Sequence, residues 1–92
     1  MEHTPVSLDY FIYELEDGRE WTDPNGEVVR RSARFDAEDA VTTVDVYLCD
    51  GWWCWEAMHH THRHDAYFDC AKDTWGEAAH DAYYELLKRH WL

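Results

Sequence analysis

Residues 41–58 read VTTVDVYLCDGWWCWEAM, two runs of strand-forming residues joined by Asp50-Gly51. An Asp-Gly pair between alternating apolar residues signals a hairpin, because the tight turn that matches strand twist needs positive φ at both central positions. A two-residue loop also fixes register: 49 faces 52, 48 faces 53, 46 faces 55 and 44 faces 57. A slip of one position would turn every side chain to the wrong face. One face of this hairpin carries Val44, Val46, Leu48, Trp53, Trp55 and Ala57, all apolar, and is assigned to the core. The other carries Thr43, Asp45, Tyr47, Cys49, Trp52, Cys54, Glu56 and Met58, a mixed face suited to water or a partner.

The rest of the chain is arranged around that hairpin. SLDYFIYELE, 7–16, is rich in aromatic residues and reads as a strand. Asp17-Gly18 reads as a hairpin turn, followed by a short strand at Glu20–Thr22. DPNG, 23–26, is a second turn, and EVVRRSARF, 27–35, the next strand. DAEDA, 36–40, reads as one helical turn or a loop. The hairpins thus span 7–58, and a polar loop is expected over 59–67. A helix is expected from about 70 to 90, since Ala71, Trp75, Ala78, Ala79, Ala82 and Leu86 recur at spacings of three and four. Two starts compete. Asp69 would cap a helix beginning at Cys70, and Thr74 with Glu77 forms a capping box for a later one. The early start is preferred because Ala71 fits the stripe. At 92 residues the chain is a single domain, 1–92. The expected fold is α+β: an antiparallel meander of four to five strands packed by one C-terminal helix, a two-layer sandwich.

Charge bounds the function. Twenty acids against eight bases leave −12. Residues 1–50 hold thirteen acids and four bases, a net of −9, and residues 51–92 hold seven and four, a net of −3. Such a field repels nucleic acid and anionic membrane and attracts a basic surface. No apolar run approaches the ~20 residues of a membrane span, and no signal peptide opens the chain. The expected protein is soluble and cytoplasmic. Three cysteines, an odd number, argue against a disulfide framework.

No motif for hydrolytic, nucleotide-dependent or metalloprotease chemistry is present, so no catalysis and no cofactor are expected. Cys49, Cys54 and the histidines of the 59–64 loop, His59 and His62 foremost, offer zinc-ligand chemistry, in an alternative reading as a small structural zinc domain. Their spacing matches no standard finger. A second alternative is a generic salt-adapted interaction domain whose charge serves solvation. Direct nucleic-acid binding lacks its basic groove, because Arg30, Arg31 and Arg34 sit within the acidic half.

Protein recognition remains. Glu14, Glu16, Asp17, Glu20, Asp23 and Glu27 lie on or beside the first hairpins, and Asp36, Glu38, Asp39 and Asp45 form a second group. Carboxylates spaced along strands resemble phosphates and fit a basic nucleic-acid channel. Trp52 is the aromatic anchor expected beside them, whereas Tyr10 and Trp21 are expected in the core. In size, acidity and strand-rich pattern the whole chain resembles the small phage-encoded inhibitors of bacterial defence, the anti-CRISPR and anti-restriction proteins. That resemblance implies a stoichiometric inhibitor and DNA mimic, which binds a CRISPR effector or nuclease in the bacterial cell and blocks DNA access.

Overall fold

The computed structural model of the chain describes residues 4–37, 40–60 and 64–92; side chains at positions 37, 60, 64–68 and 70 lie outside that description. In chain order the elements are α1 (Leu8–Asp17), β1 (Arg19–Thr22), β2 (Val28–Ala37), β3 (Ala40–Cys49), β4 (Trp52–His60), β5 (His64–Lys72) and α2 (Trp75–Lys88). The strands form one antiparallel sheet in the order β1-β2-β3-β4-β5. α1 packs on β2 and α2, and α2 packs on β3, β4 and β5. The α+β architecture of a meander covered by a C-terminal helix is the one read from the sequence, with an additional N-terminal helix.

The β3–β4 register is the predicted one. Cys49 pairs with Trp52, Leu48 with Trp53, Val46 with Trp55 and Val44 with Ala57. Asp50 and Gly51 take φ of 51° and 82°, as the two-residue turn requires. Val44, Val46, Trp55 and Ala57 are fully buried. Leu48, on the same face, is 40% exposed, so the helical layer stops short of the hairpin tip.

Trp55 is the largest fully buried side chain. Burying an indole removes roughly 200 Å² from water but requires a partner for its N–H. Asp81 supplies one, accepting from Trp55 Nε1 at 2.8 Å. The α2 face over the sheet contributes Ala78, Ala79 and Ala82, small residues that bring the helix close above this large one.

Five expectations are corrected. SLDYFIYELE is α1, a helix. The Ser7 hydroxyl caps it by accepting from Tyr10 N at 3.1 Å, and Leu8, Phe11, Ile12 and Leu15 make one stripe. Phe11 stacks on Phe35 with centroids 5.0 Å apart. Local strand preference loses to burial of that stripe on β2. Asp17-Gly18 is therefore a helix-to-strand junction and not a hairpin turn. DAEDA is neither helical turn nor loop over its described residues, since Asp36 and Ala37 pair with Val41 and Ala40; Glu38 and Asp39 lie outside the description. The expected loop at 59–67 is largely strand: β4 runs to His60, and β5 pairs along it from His64. The ladder shifts register opposite Trp53–Trp55, where Ala71 takes φ 79°. α2 begins at the later start, with Thr74 as its cap accepting from Glu77 N at 3.1 Å, because residues up to Lys72 belong to the sheet.

The C-terminus is clasped to the sheet. His90 adopts φ 62°, while His90 N donates to Leu87 O at 3.1 Å and Trp91 N to Leu86 O at 3.0 Å. These two bonds are a Schellman cap. They turn the chain so that Trp91 stacks on His59 at 5.0 Å and its carbonyl accepts from the Thr42 hydroxyl at 2.7 Å. Having donated its one proton there, Thr42 accepts from His59 Nδ1 at 2.8 Å.

Gly18 closes the junction between α1 and β1. A Cβ there would lie 2.3 Å from Ser32 O and 2.7 Å from Glu14 O, both backbone. Gly18→Ala is expected to cost more than about 2 kcal/mol through backbone displacement. At Gly76, in the first turn of α2, a Cβ meets only Thr74 Oγ1, at 3.9 Å. Gly76→Ala should gain about 0.5–1 kcal/mol. Urea denaturation of the two variants measures both, and they should move in opposite directions.

Candidate functional site

The sheet has two unlike faces. Alternation places Arg31, Ala33 and Phe35 of β2, with Thr42, Val44 and Val46 of β3, under the helices. Arg19 and Trp21 of β1, Arg30 and Arg34 of β2, Asp45 and Tyr47 of β3 and Cys54 and Glu56 of β4 occupy the open face. Arg30 is the centre of a cross-strand row there. Its guanidinium lies 4.9 Å from the Trp21 ring and 5.9 Å from the Tyr47 ring. It also donates twice to Asp45 Oδ1, from Nη2 at 2.8 Å and Nε at 3.0 Å. Arg19 covers the same Trp21 ring at 4.6 Å, and Arg34 pairs with Asp36 at 3.0 Å. Among the described side chains, three arginines (Arg19, Arg30, Arg34) share this face with three carboxylates (Asp36, Asp45, Glu56): Arg30 pairs with Asp45 and reaches Glu56 at 4.0 Å, Arg34 pairs with Asp36, and Arg19 lies against Trp21.

The predicted partner-binding carboxylates are consequently sorted into kinds. Asp45 and Asp36 are held by arginines. Glu20 pairs with Arg31 at 3.2 Å. Asp23 folds into its own turn, its Oδ1 accepting from Asn25 N at 2.9 Å and Glu27 N at 3.0 Å. Glu27 is exposed at that turn. Glu38 and Asp39 lie outside the described residues. Glu14, Glu16 and Asp17 all fall on α1, together with Asp9, and among the described residues none of these four makes an ion pair. Trp52 is at the hairpin tip, 50% exposed.

α1 is thus the concentrated acidic element, with four carboxylates and no base across Leu8–Asp17. Three of them occupy its C-terminal half, where the helix dipole favours cations. No basic residue stands in its last turn. Among the described residues a cation reaches this end from outside the helix: Arg31 Nη1 donates to the Glu16 carbonyl at 2.9 Å while its guanidinium covers Trp75 at 5.2 Å. The same helix exposes Tyr10 and Tyr13, at 49% and 58%. The Glu14 carboxylate one turn away raises the Tyr10 phenol above its ordinary pKa. Tyr10 was expected in the core and is at its rim, edge-on to Phe35 at 6.3 Å; Trp21, also expected there, is on the open face. Tyr13 was missed, because reading this segment as a strand hid the three-residue spacing that puts Tyr10 and Tyr13 on one exposed helical face.

The described members of the alternative zinc set, Cys49, Cys54 and His59, do not converge. Cys49 is exposed and Cys54 buried, both at open-face positions of the sheet. His59 lies on the helix side, engaged with Thr42 and Trp91. His62 is outside the described residues. Among the described residues, no three His, Cys, Asp or Glu side chains are grouped as metal ligands, and no helix is long and apolar enough to cross a membrane. Compared with protein-family models, curated proteins and solved structures, the chain matches none.

Arg31 ties α1, β1, β2 and α2 together, whereas Arg30 lies on the open face and is partly exposed. Arg31→Ala is therefore expected to cost about 1–3 kcal/mol, and Arg30→Ala less than about 1 kcal/mol. Chemical denaturation checks the order.

Proposed function

We propose that the chain is a non-enzymatic binding protein that sets the acidic, tyrosine-bearing surface of α1 into a basic nucleic-acid-binding site on a protein partner and blocks it. One observation carries this reading. Glu14, Glu16 and Asp17 stand at the end of α1 where local electrostatics favours bases, and no ion pair among the described residues offsets them. Residues kept against local stability are a mark of a surface serving something other than the fold. The adjoining tyrosines suit the role, since Tyr supplies apolar area and a polar tip at interfaces and its ring attracts Arg and Lys. A charge that served solvation alone would spread over the whole surface, whereas among the described side chains of the open sheet face three arginines stand with three carboxylates.

Inhibitors of the anti-CRISPR and anti-restriction kind act in this manner, as DNA mimics in the bacterial cytoplasm. A CRISPR effector or a restriction nuclease is accordingly the partner class for the first assay. Competition with duplex DNA for such an effector, run across a salt series, tests the reading. The double variant Glu16→Lys/Asp17→Lys should bind at least about tenfold more weakly and with a shallower salt dependence. The same variant should be more stable by about 0.5–1 kcal/mol, because lysines suit that helix end. A variant that competes as well as the parent chain refutes the assignment of α1.

A further inference from the structure

Three arginines of this protein are held alike. The Arg30 guanidinium lies over the Trp21 ring at 4.9 Å and donates to Asp45 at 2.8 Å. Arg31 lies over Trp75 at 5.2 Å and pairs with Glu20 at 3.2 Å. Arg89 lies over Trp91 at 5.7 Å and pairs with Glu85, four residues earlier, at 3.2 Å. An aromatic ring and a carboxylate thus act together on each guanidinium. The cause is the shape of the group, which is planar and weakly hydrated. It stacks through its face while its N–H edge donates to carboxylate oxygens. An ammonium is a compact, strongly hydrated point charge and gains less from a ring.

α1 presents the same two components. Tyr10 with Glu14, and Tyr13 with Asp17, stand four residues apart, the spacing that makes side chains neighbours on a helix surface. The effect of the Glu14 carboxylate on the Tyr10 phenol agrees with that placement. Both tyrosines are exposed. Among the described residues no arginine covers either ring, and neither carboxylate makes an ion pair. The two pairs are offset by three residues, a rise of about 4.5 Å along the helix axis. Granted that α1 is the binding surface, we propose that Tyr10–Glu14 and Tyr13–Asp17 are two seats for arginine side chains of the protein partner, so that α1 selects guanidinium over ammonium groups. A surface built to hold nucleic-acid phosphates supplies such side chains, because the fork of arginine matches phosphate geometry.

The test compares octa-arginine with octa-lysine, peptides of equal charge, each titrated into the ¹⁵N-labelled full chain at one low ionic strength. Octa-arginine should bind at least about fivefold more tightly, with amide shifts concentrated in residues 8–17. This comparison needs no variant and so does not depend on one folding. The double variant Tyr10→Leu/Tyr13→Leu removes both rings and keeps every carboxylate. It should bring the two affinities within about twofold of each other, through loss of arginine binding, and leave octa-lysine binding unchanged. Equal affinity of the two peptides for the parent chain, with shifts still on α1, overturns the arginine seats and leaves α1 as the binding surface. An arginine preference that persists in the double variant overturns the seats as well. Shifts centred away from α1 overturn both the seats and the reading of α1.

Discussion

The Asp50-Gly51 turn is the constraint on which the rest of the molecule depends. By holding Val46 opposite Trp55 and Val44 opposite Ala57 it assembles the apolar centre of the sheet from two adjacent strands. Everything else attaches to that centre. α2 crosses it with three alanines and anchors the Trp55 indole through Asp81. α1 docks beside α2 through the Phe11–Phe35 stack, and the Tyr83 hydroxyl fastens the segment leading into α1 by donating to Val6 O at 2.8 Å. A register slip in this one hairpin would expose Trp55 and remove the floor on which both helices rest.

The fold then separates two kinds of charge. Arginines and carboxylates of the open face neutralise each other around Trp21, Arg30 and Tyr47, so that surface has little field to offer a partner. α1 has no such balance. Arg31, which reaches it from β2, bonds the helix carbonyl and Glu20, so it supports the helix end without pairing with the α1 carboxylates. α1 gathers four of the twenty acids on ten residues with no base among them, a concentration that composition alone does not reveal.

What was legible in the sequence followed from strict local rules. The β3–β4 register needed only a turn dipeptide and a period of two. The DPNG turn was readable in the same way, and Asp23 holds it by accepting from Asn25 and Glu27 amides. α1 was misread because Tyr10, Phe11, Ile12 and Tyr13 favour strands intrinsically, although the Leu8, Phe11, Ile12 and Leu15 stripe and the Ser7 cap were both present. β5 was hidden because HDAYFDCAK lacks clean alternation; its pairing to β4 decides it, including a register shift at Ala71 that no periodic pattern encodes. The candidate site was half legible. Its carboxylates were named, but their separation into arginine-held and outward-facing groups depends on cross-strand neighbours such as Arg30 with Asp45, fifteen positions apart.

The central claim is that the binding field of this protein emanates from α1. Amide chemical shifts of the ¹⁵N-labelled chain, followed while an octa-arginine peptide is titrated in at low salt, test it most directly. The account predicts perturbations concentrated in residues 8–17 and at Glu20, abolished by added salt. Perturbations centred on the open face around Trp21, Arg30 and Tyr47, or spread evenly over the chain, would contradict it.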